Sequence, residues 1–318
     1  MLVDDLKGKY SWDNPITIHP ILISENSTYF IKDTKNIAVL RLSRYGYHTL
    51  DEINSEMEWL IQINKTTDII VPIPLLANNK KIVQQITMLD GKTYNYVVFK
   101  YLEGNEVSVC NTQQTLLYYQ MIGKNVAMLH NQVSMWEESK NLDRIAYNFN
   151  NTIGENAIWG RWQDFDNVDK LAQKTIQKAC DIIQNRLQTY GKTNSNWGLI
   201  HSDIRPANIL IDNEKIKIID FDDTGFGWYL SDLAASVSFI EHTEIAPKLI
   251  KEWIKGYTCI RELDNYDEID TFILMRRLQL MSWLASRKNS DPVKNLSIGF
   301  LDGTMKLTKH YIDYYGKK

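Results

Sequence analysis

The stretch LIHSDIRPANILI at residues 199–211, followed by KIIDFDD at 217–223, constrains this chain more than any other feature. Ile209, Leu210 and Ile211, then Ile216, Lys217, Ile218 and Ile219, read as two short strands around the turn Asp212-Asn213-Glu214-Lys215. A hairpin of that length folds Asn208 back beside Asp220. His201, Asp203 and Asn208 form H-x-D-x-x-x-x-N, so two carboxylates and an amide converge as hard oxygen ligands, a set that suits a magnesium nucleotide. In phosphoryl transfer the protein places a hydroxyl, holds metal between phosphates and neutralises charge as the leaving bond loosens. On that reading Asp203 accepts the hydroxyl proton, Asn208 ligates one magnesium, and Asp220 ligates metal bridging the terminal phosphates. The competing account is a plain surface hairpin in which Asp203 caps a helix and Asn208 ends a loop. It requires the polar positions, the strands and the turn to coincide by accident.

With 318 residues and 44% hydrophobic content, the chain can bury a large core and divide into two lobes. A net charge of -3 argues against nucleic acid or an anionic membrane as the main partner, since both need a concentrated basic face. Cys110, Cys180 and Cys259 are odd in number, widely separated and without metal-ligand spacing, which points to a reduced, cytoplasmic compartment. The segment MLVDDLKGKY has no apolar run, and Ile69–Ala77 is interrupted by Pro72 and Pro74, so neither export nor membrane spanning is expected.

The texture changes near residue 102. Before it, ITIHPILI, TYFIK and NIAVLRL read as an antiparallel meander, and VQQITML and YNYVVFKYL as a further strand pair. Between these, Thr49 and Glu52 fit a capping box opening a helix whose apolar stripe is Ile53, Met57, Leu60 and Ile61. Glu56 lies on the edge of that stripe, able to point toward the sheet, and Glu58 faces away. After it come helical patterns near 112–132, 167–190, 231–242, 247–258 and 267–287 and a terminal segment, interrupted only by the strands around Asn208 and Asp220. The expected domains are 1–102, a nucleotide-binding sheet lobe with one helix, and 103–318, a helical lobe with the catalytic hairpin and substrate site.

These features together resemble the protein-kinase-like fold, an α+β bilobal architecture. LIHSDIRPANILI, IIDFDDTGFGWYLSDLAASVSFIEH, SENSTYFI and INSEMEWL are similar to the aminoglycoside phosphotransferase and choline kinase superfamily, nearest its homoserine-kinase-like and stress-response-kinase-like members. The resemblance implies ATP and Mg2+ as cofactors, Asp203 as catalytic base, and Asn208 and Asp220 as metal ligands. It further implies a nucleotide lying between the lobes against the hinge Phe99, Lys100, Tyr101 and Leu102. Arg41 stands where protein kinases carry the third-strand lysine, with Glu56 as its helix partner; a surface strand arginine is the other reading. An arginine fork can span two phosphate oxygens and a carboxylate, where lysine offers a point charge. The phosphate-covering loop Ser24-Glu25-Asn26-Ser27-Thr28 lacks glycine, so backbone amides and the Ser27 and Thr28 hydroxyls would cradle phosphate, unless it is a simple polar turn.

Arg205 stands where protein kinases place a lysine reaching the transferred phosphate; a salt bridge to a nearby carboxylate is the alternative. His201 resembles a scaffold residue of the catalytic loop. Asp232 resembles the aspartate that braces that loop, with helix N-capping by Ser231 or Asp232 as the local alternative. Asp222 and Asp223 either assist metal or a cationic substrate or are solvated turn carboxylates. Trp159, Trp162, Trp228 and Tyr229, near Asp164, Asp166 and Asp223, could recognise an amine, or could be core. Arg276 is a candidate partner for a substrate carboxylate. The expected activity is ATP- and Mg-dependent transfer of phosphate to a hydroxyl of an amino alcohol, an amino sugar or a homoserine-like amino acid. A serine/threonine protein kinase and a catalytically silent nucleotide-binding regulator remain as alternatives. The short stretch between Asp220 and Asp232 favours a small acceptor. Oligomeric state is not legible.

Overall fold

The computed structural model describes every residue except Met1, Asn14, Ser24, Glu25, Cys110, Asn111, Asp264 and Lys318. Cys110, and Ser24 and Glu25 of the expected phosphate loop, therefore lie outside the described residues. By backbone contacts the chain forms two compact units. One comprises Met1–Asn105, Glu138–Arg144 and Leu210–Asp222, the other Glu106–Glu137, Ile145–Ile209 and Asp223–Lys318.

The first unit is built on helix α1 (Leu2–Lys9), strands β1 (Thr17–Ile23), β2 (Ser27–Lys32) and β3 (Ile37–Leu42), helix α2 (Leu50–Thr66), and strands β4 (Gln84–Thr87) and β5 (Thr93–Lys100). The five strands form one antiparallel sheet in the order β1-β2-β3-β5-β4. Alternation along β3 decides what each face does. Ala38, Leu40 and Leu42 enter an apolar cluster with Ile31, Tyr96, Val98, Leu6 of α1 and Tyr10 just after it. Arg41 points to the opposite face from Leu40, as the two-residue period of a strand requires.

Helix α2 begins as expected: the Thr49 side chain accepts from the Glu52 N–H, and the Glu52 carboxylate accepts from the Thr49 N–H at 2.7 Å. Ile53, Met57, Leu60 and Glu56 are buried, whereas Ile61, expected in the stripe, is exposed. Trp59 takes the place in the core, edge-on to Phe221 at 5.3 Å. The terminal helix α1 was not expected, although Leu2, Leu6 and Tyr10 have helical spacing. After β6 (Asn105–Glu106) the chain leaves this unit and returns to it at 138–144 and 210–222.

The second unit is mainly helical, with α3 (Gln113–Met135), the short α4 (Phe149–Thr152), α5 (Lys170–Tyr190), α6 (Leu230–Ser236), α7 (Ala246–Thr258), α8 (Ile269–Ser286), α9 (Asp291–Ser297) and α10 (Phe300–Tyr315). The α3–α7 crossing is very close. A Cβ on Gly123 would lie 2.0 Å from the Trp253 carbonyl oxygen, and one on Gly256 would lie 1.8 Å from that of Gln120. Two glycines thus let backbone touch backbone. The helix expected over 231–242 stops at Ser236, and Phe239 takes φ 71°, which ends any helical path. A strand pair that the sequence reading missed, β7 (Trp197–Ile200) with β10 (Gly225–Trp228), runs antiparallel in this unit. Two glycines in the four residues Gly225-Phe226-Gly227-Trp228 hide it, because glycine weakens strand patterning.

Strands β8 (Ile209–Asp212) and β9 (Lys215–Ile218) are neighbours in a small sheet, joined by the two residues Asn213 and Glu214. Both have positive φ, 47° and 64°, the conformation of a tight hairpin turn matched to strand twist. Most of this hairpin, Leu210–Asp222, groups with the first unit, where Ile218 N–H bonds the Ile70 carbonyl at 2.9 Å.

Candidate active site

Strand β7 ends at Ile200 and delivers a loop whose conformation is held from beneath. His201 is fully buried, and Ser202 adopts φ 69°, a left-handed geometry unusual for a residue with a side chain. Such strain persists where the surroundings over-determine it, and here the brace is Asp232. Its carboxylate accepts the backbone N–H of Ser202 at 2.8 Å and of His201 at 3.1 Å. It also meets His130 Nε2 at 3.0 Å. Asp232 sits inside α6 and makes no helix cap; the capping position belongs to Tyr229, and no side chain caps there.

His130, from α3, is stacked on Tyr229 with ring centroids 4.1 Å apart and lies 2.9 Å from the Tyr257 hydroxyl through Nδ1. Burial lowers its pKa from 6.5, against the raising effect of Asp232, and so favours the neutral ring at neutral pH. Facing an acceptor-only carboxylate, Nε2 must carry the proton and Nδ1 must accept from Tyr257.

The Asp203 carboxylate is held on both oxygens. Oδ2 accepts from Asn208 Nδ2 at 2.9 Å and from Arg205 Nε at 3.2 Å. Oδ1 accepts from Arg276 Nη2 at 2.5 Å. Asn208, at the end of the 3-10 turn Pro206–Asn208, gives a second bond from Nδ2 to the Asp203 carbonyl at 2.8 Å. Its two amide N–H groups are thereby committed, which leaves the carbonyl oxygen as the atom for a ligand. Arg205 forms the carboxylate pair considered as the alternative to phosphate contact, with a side chain 37% exposed. Arg276 is not available to a substrate carboxylate as expected, because it is buried and engaged with Asp203.

In the first unit, Arg41 and Glu56 form a buried fork-to-fork pair, Nη1 to Oε1 at 2.7 Å and Nη2 to Oε2 at 2.6 Å. Nη2 is also 3.5 Å from Asp222 Oδ1. Burial on its own would lower the arginine pKa, but the Glu56 and Asp222 carboxylates hold it above its ordinary value. The Arg41 side chain lies 5.7 Å above the Phe99 ring. Thr28 is the cross-strand partner of Arg41, and Ser27 that of Leu42. Tyr101 packs edge-on to Phe30 at 5.4 Å, and Leu102 follows in the connecting segment.

Asp220 follows β9 at φ 65° and is exposed, whereas Asp222 is buried. Asp222 Oδ2 accepts from Asn26 Nδ2 at 2.8 Å and is 3.7 Å from His48 Nε2. Arg144 donates to the Asp222 backbone carbonyl and, at 3.1 Å, to that of Glu52. Burial would raise the Asp222 pKa, yet Arg41, His48 and Asn26 together pull it below the usual carboxylate value. Asp222 is thus a buried charge, and its carboxylate lies with one ligand atom each of His48 and Asp223 within 4.8 Å of one another. The sequence reading placed Asn26 in the phosphate-covering loop without foreseeing its bond to Asp222, and it missed His48, Arg144 and His130, none of which stands in a recognisable local pattern.

A model of the phosphotransferase enzyme family matches residues 17–272. The chain belongs to that family. It is a phosphotransferase, a small-molecule kinase whose acceptor is a hydroxyl group. It is similar to the amicoumacin kinase of Bacillus subtilis (strain 168), at 24% identity over 253 residues covering 76% of this chain and 71% of the relative. Among solved structures it resembles a microcompartment-associated aminopropanol kinase, with TM-score 0.90, 29% identity and coverage of 100% and 98% of the two chains. It also resembles the amicoumacin kinase hAmiN in complex with AMP-PNP, Ca2+ and Ami, with TM-score 0.77, 18% identity and coverage of 96% and 92%. The fold is protein-kinase-like and α+β, as expected.

Within this kinase the tryptophans expected to greet an amine are core residues. Trp162 is 1% and Trp228 3% exposed, and Trp228 Nε1 donates to the Gly191 carbonyl at 2.7 Å. Trp159 is buried and stacks under Arg276 at 5.1 Å, so its face is covered by a protein cation. Asp164 and Asp166 are exposed, and Asp166 pairs with Lys288 at 3.2 Å. Asp223 is half-buried, its backbone carbonyl accepting from the Tyr147 hydroxyl at 2.7 Å. A hollow of about 650 Å³ between α2 and residues 76–85 contains none of the expected site residues. No helix among the described residues is long and apolar enough to cross a membrane.

Proposed function

We propose that this kinase transfers the terminal phosphate of ATP, with Mg2+, to the hydroxyl of a small amino alcohol. The observation that carries this reading is the end-to-end likeness to the aminopropanol kinase. Asp203 is the base: a carboxylate offers roughly four lone-pair sites, and the three donors on Asp203 leave one on Oδ1 for the acceptor hydroxyl. Asn208 and Asp220 would each offer Mg2+ an oxygen donor. An amide carbonyl and a carboxylate are hard oxygen donors, and the commitment of both Asn208 N–H groups to Asp203 leaves the carbonyl oxygen for that duty. Bound Mg2+ would neutralise charge on the terminal phosphates as the bond to the leaving group loosens.

Arg41, fixed by Glu56 and Asp222, supplies positive charge for the nucleotide phosphates, with Ser27 and Thr28 on the adjoining strand. Phe99, Tyr101 and Leu102 line the adenine side. Arg205, half-exposed beside the base, meets the transferring group, and preorganised donors of this kind are worth about 3 kcal/mol. His201 and Asp232 hold the loop in shape. Catalysis is then positioning plus electrostatics, with no covalent intermediate.

A coupled ADP-release assay on a panel of amino alcohols, amino sugars, hydroxy amino acids and casein tests this. Turnover on 1-amino-2-propanol at least tenfold above the other classes supports it. Preferential phosphorylation of casein, or of an amino sugar, would contradict it.

A further inference from the structure

Arg276 is the best-anchored charged side chain near the base, and no role in the reading above uses it. It projects from α8 and is 5% exposed. Every nitrogen of the guanidinium is directed. Nε donates to Ser238 Oγ at 3.0 Å, Nη1 to Gln279 Oε1 at 3.0 Å, and Nη2 to Asp203 Oδ1 at 2.5 Å. Its Cζ lies over the Trp159 ring, 5.1 Å from the centroid. The other contacts of the Asp203 carboxylate, Asn208 and Arg205, both fall on Oδ2 and both come from the catalytic loop itself.

We infer that Arg276 is a positioning residue for the catalytic base, fixing the Asp203 carboxylate from outside the loop so that one lone pair of Oδ1 faces the acceptor hydroxyl. The inference rests on Asp203 being the base. Held on Oδ2 alone, the carboxylate can turn about its last torsion, which is broad and nearly two-fold. Held on both oxygens by donors from two different elements, it cannot. The planar fork explains why arginine stands here. It satisfies three acceptors in one plane and keeps an aromatic face beneath it, which an ammonium cannot do. Arg276 lines a narrow recess with Ser202, Ser231 and Gln279, so a direct hand on the acceptor is the rival role that a test must separate.

The test is a cycle of four full-length proteins: wild type, Arg276→Lys, Asp203→Ala and the double variant. Each is measured for kcat and KM with 1-amino-2-propanol and for affinity to AMP-PNP with Mg2+. Positioning predicts that Arg276→Lys lowers kcat by roughly ten- to a hundredfold, the loss that misplacing a reacting group brings. KM and nucleotide affinity stay within about threefold, and the same change in the Asp203→Ala background alters the residual rate by less than about twofold. Gln279→Met, which removes only a support of Arg276, should give a loss in the same direction but smaller. A tenfold rise in KM at unchanged kcat would make Arg276 an acceptor contact and overturn the inference. So would an equal loss of kcat in both backgrounds, or wild-type kcat in Arg276→Lys.

Thermal midpoints of the same four proteins need no acceptor. The clamp predicts non-additive shifts for the two substitutions, and additive shifts would refute it. If wild type ignores 1-amino-2-propanol, the acceptor assignment fails while these midpoints still decide the clamp.

Discussion

Breaking the Arg41–Glu56 pair should expose what its burial costs. Glu56 is 1% and Arg41 7% exposed, so Glu56→Leu leaves a guanidinium in the interior with only Asp222, 3.5 Å away, as a charged neighbour. Removing one partner of a buried pair typically costs about 3–5 kcal/mol. With Asp222 still in place, about 3 kcal/mol is the expected loss. Replacing both residues, Arg41→Met with Glu56→Leu, removes the stranded charge. Apolar replacement of a whole buried pair is often near neutral. What remains is the lost contact to Asp222, on the order of 1 kcal/mol, because Asn26 still donates to that carboxylate at 2.8 Å. The double variant should therefore be more stable than Glu56→Leu alone, yet bind AMP-PNP as poorly as any protein lacking Arg41. Hydrogen exchange of the α2 amides is the suitable assay, since two compact units need not open together. Protection should fall by roughly two orders of magnitude in Glu56→Leu and recover most of that in the double variant. A double variant less stable than the single one would refute this account of the pair.

Gly256→Ala should destabilise the protein by about 3 kcal/mol or more in urea unfolding, since the new Cβ meets the Gln120 carbonyl oxygen and helix backbone cannot yield as a side chain does. The gain in helix propensity, roughly 1 kcal/mol, offsets only part of that, and an unchanged midpoint would contradict the crossing described. His130 predicts a pH dependence. Its folded-state pKa lies below 6.5, so the unfolded chain binds more protons below that pH, and stability should fall as pH drops from 6.5 toward the folded value. His130→Gln should flatten that part of a stability profile, and an unaltered slope would remove His130 as its source. Asp220→Asn should weaken Mg2+-dependent nucleotide binding by at least tenfold while leaving metal-free binding within about threefold; calorimetry with and without chelator reads both.

Local chemistry was legible from sequence, and distant pairing was not. The Asn213-Glu214 turn, the Thr49–Glu52 cap and the facing of Glu56 each depend on residues within a few positions of one another, where strand and helix periods dictate direction. The pairing of Arg41 with Glu56 was implied by the resemblance to protein kinases, and it joins a strand and a helix that lie consecutively in the chain. Arg276 illustrates the opposite case. Its partner Asp203 is 73 positions away, and nothing in a helix that is buried on nearly all sides tells which neighbour an arginine will meet. The tryptophans misled for a related reason. Proximity to acidic residues in sequence suggested an amine site, but burial of Trp162 and Trp228 is set by packing from other elements. Asn26, Arg144 and His48 converge on Asp222 from three separate segments, a pattern visible only once the sheet and α2 are assembled.

Asp203→Asn is the most direct test of the account as a whole. The amide keeps the shape but cannot take a proton, and general-base catalysis contributes about 10²–10⁴-fold. Steady-state kinetics should show kcat reduced by that factor, with affinity for AMP-PNP and Mg2+ within about threefold of wild type. A kcat within tenfold of wild type would contradict the assignment of Asp203 as the base.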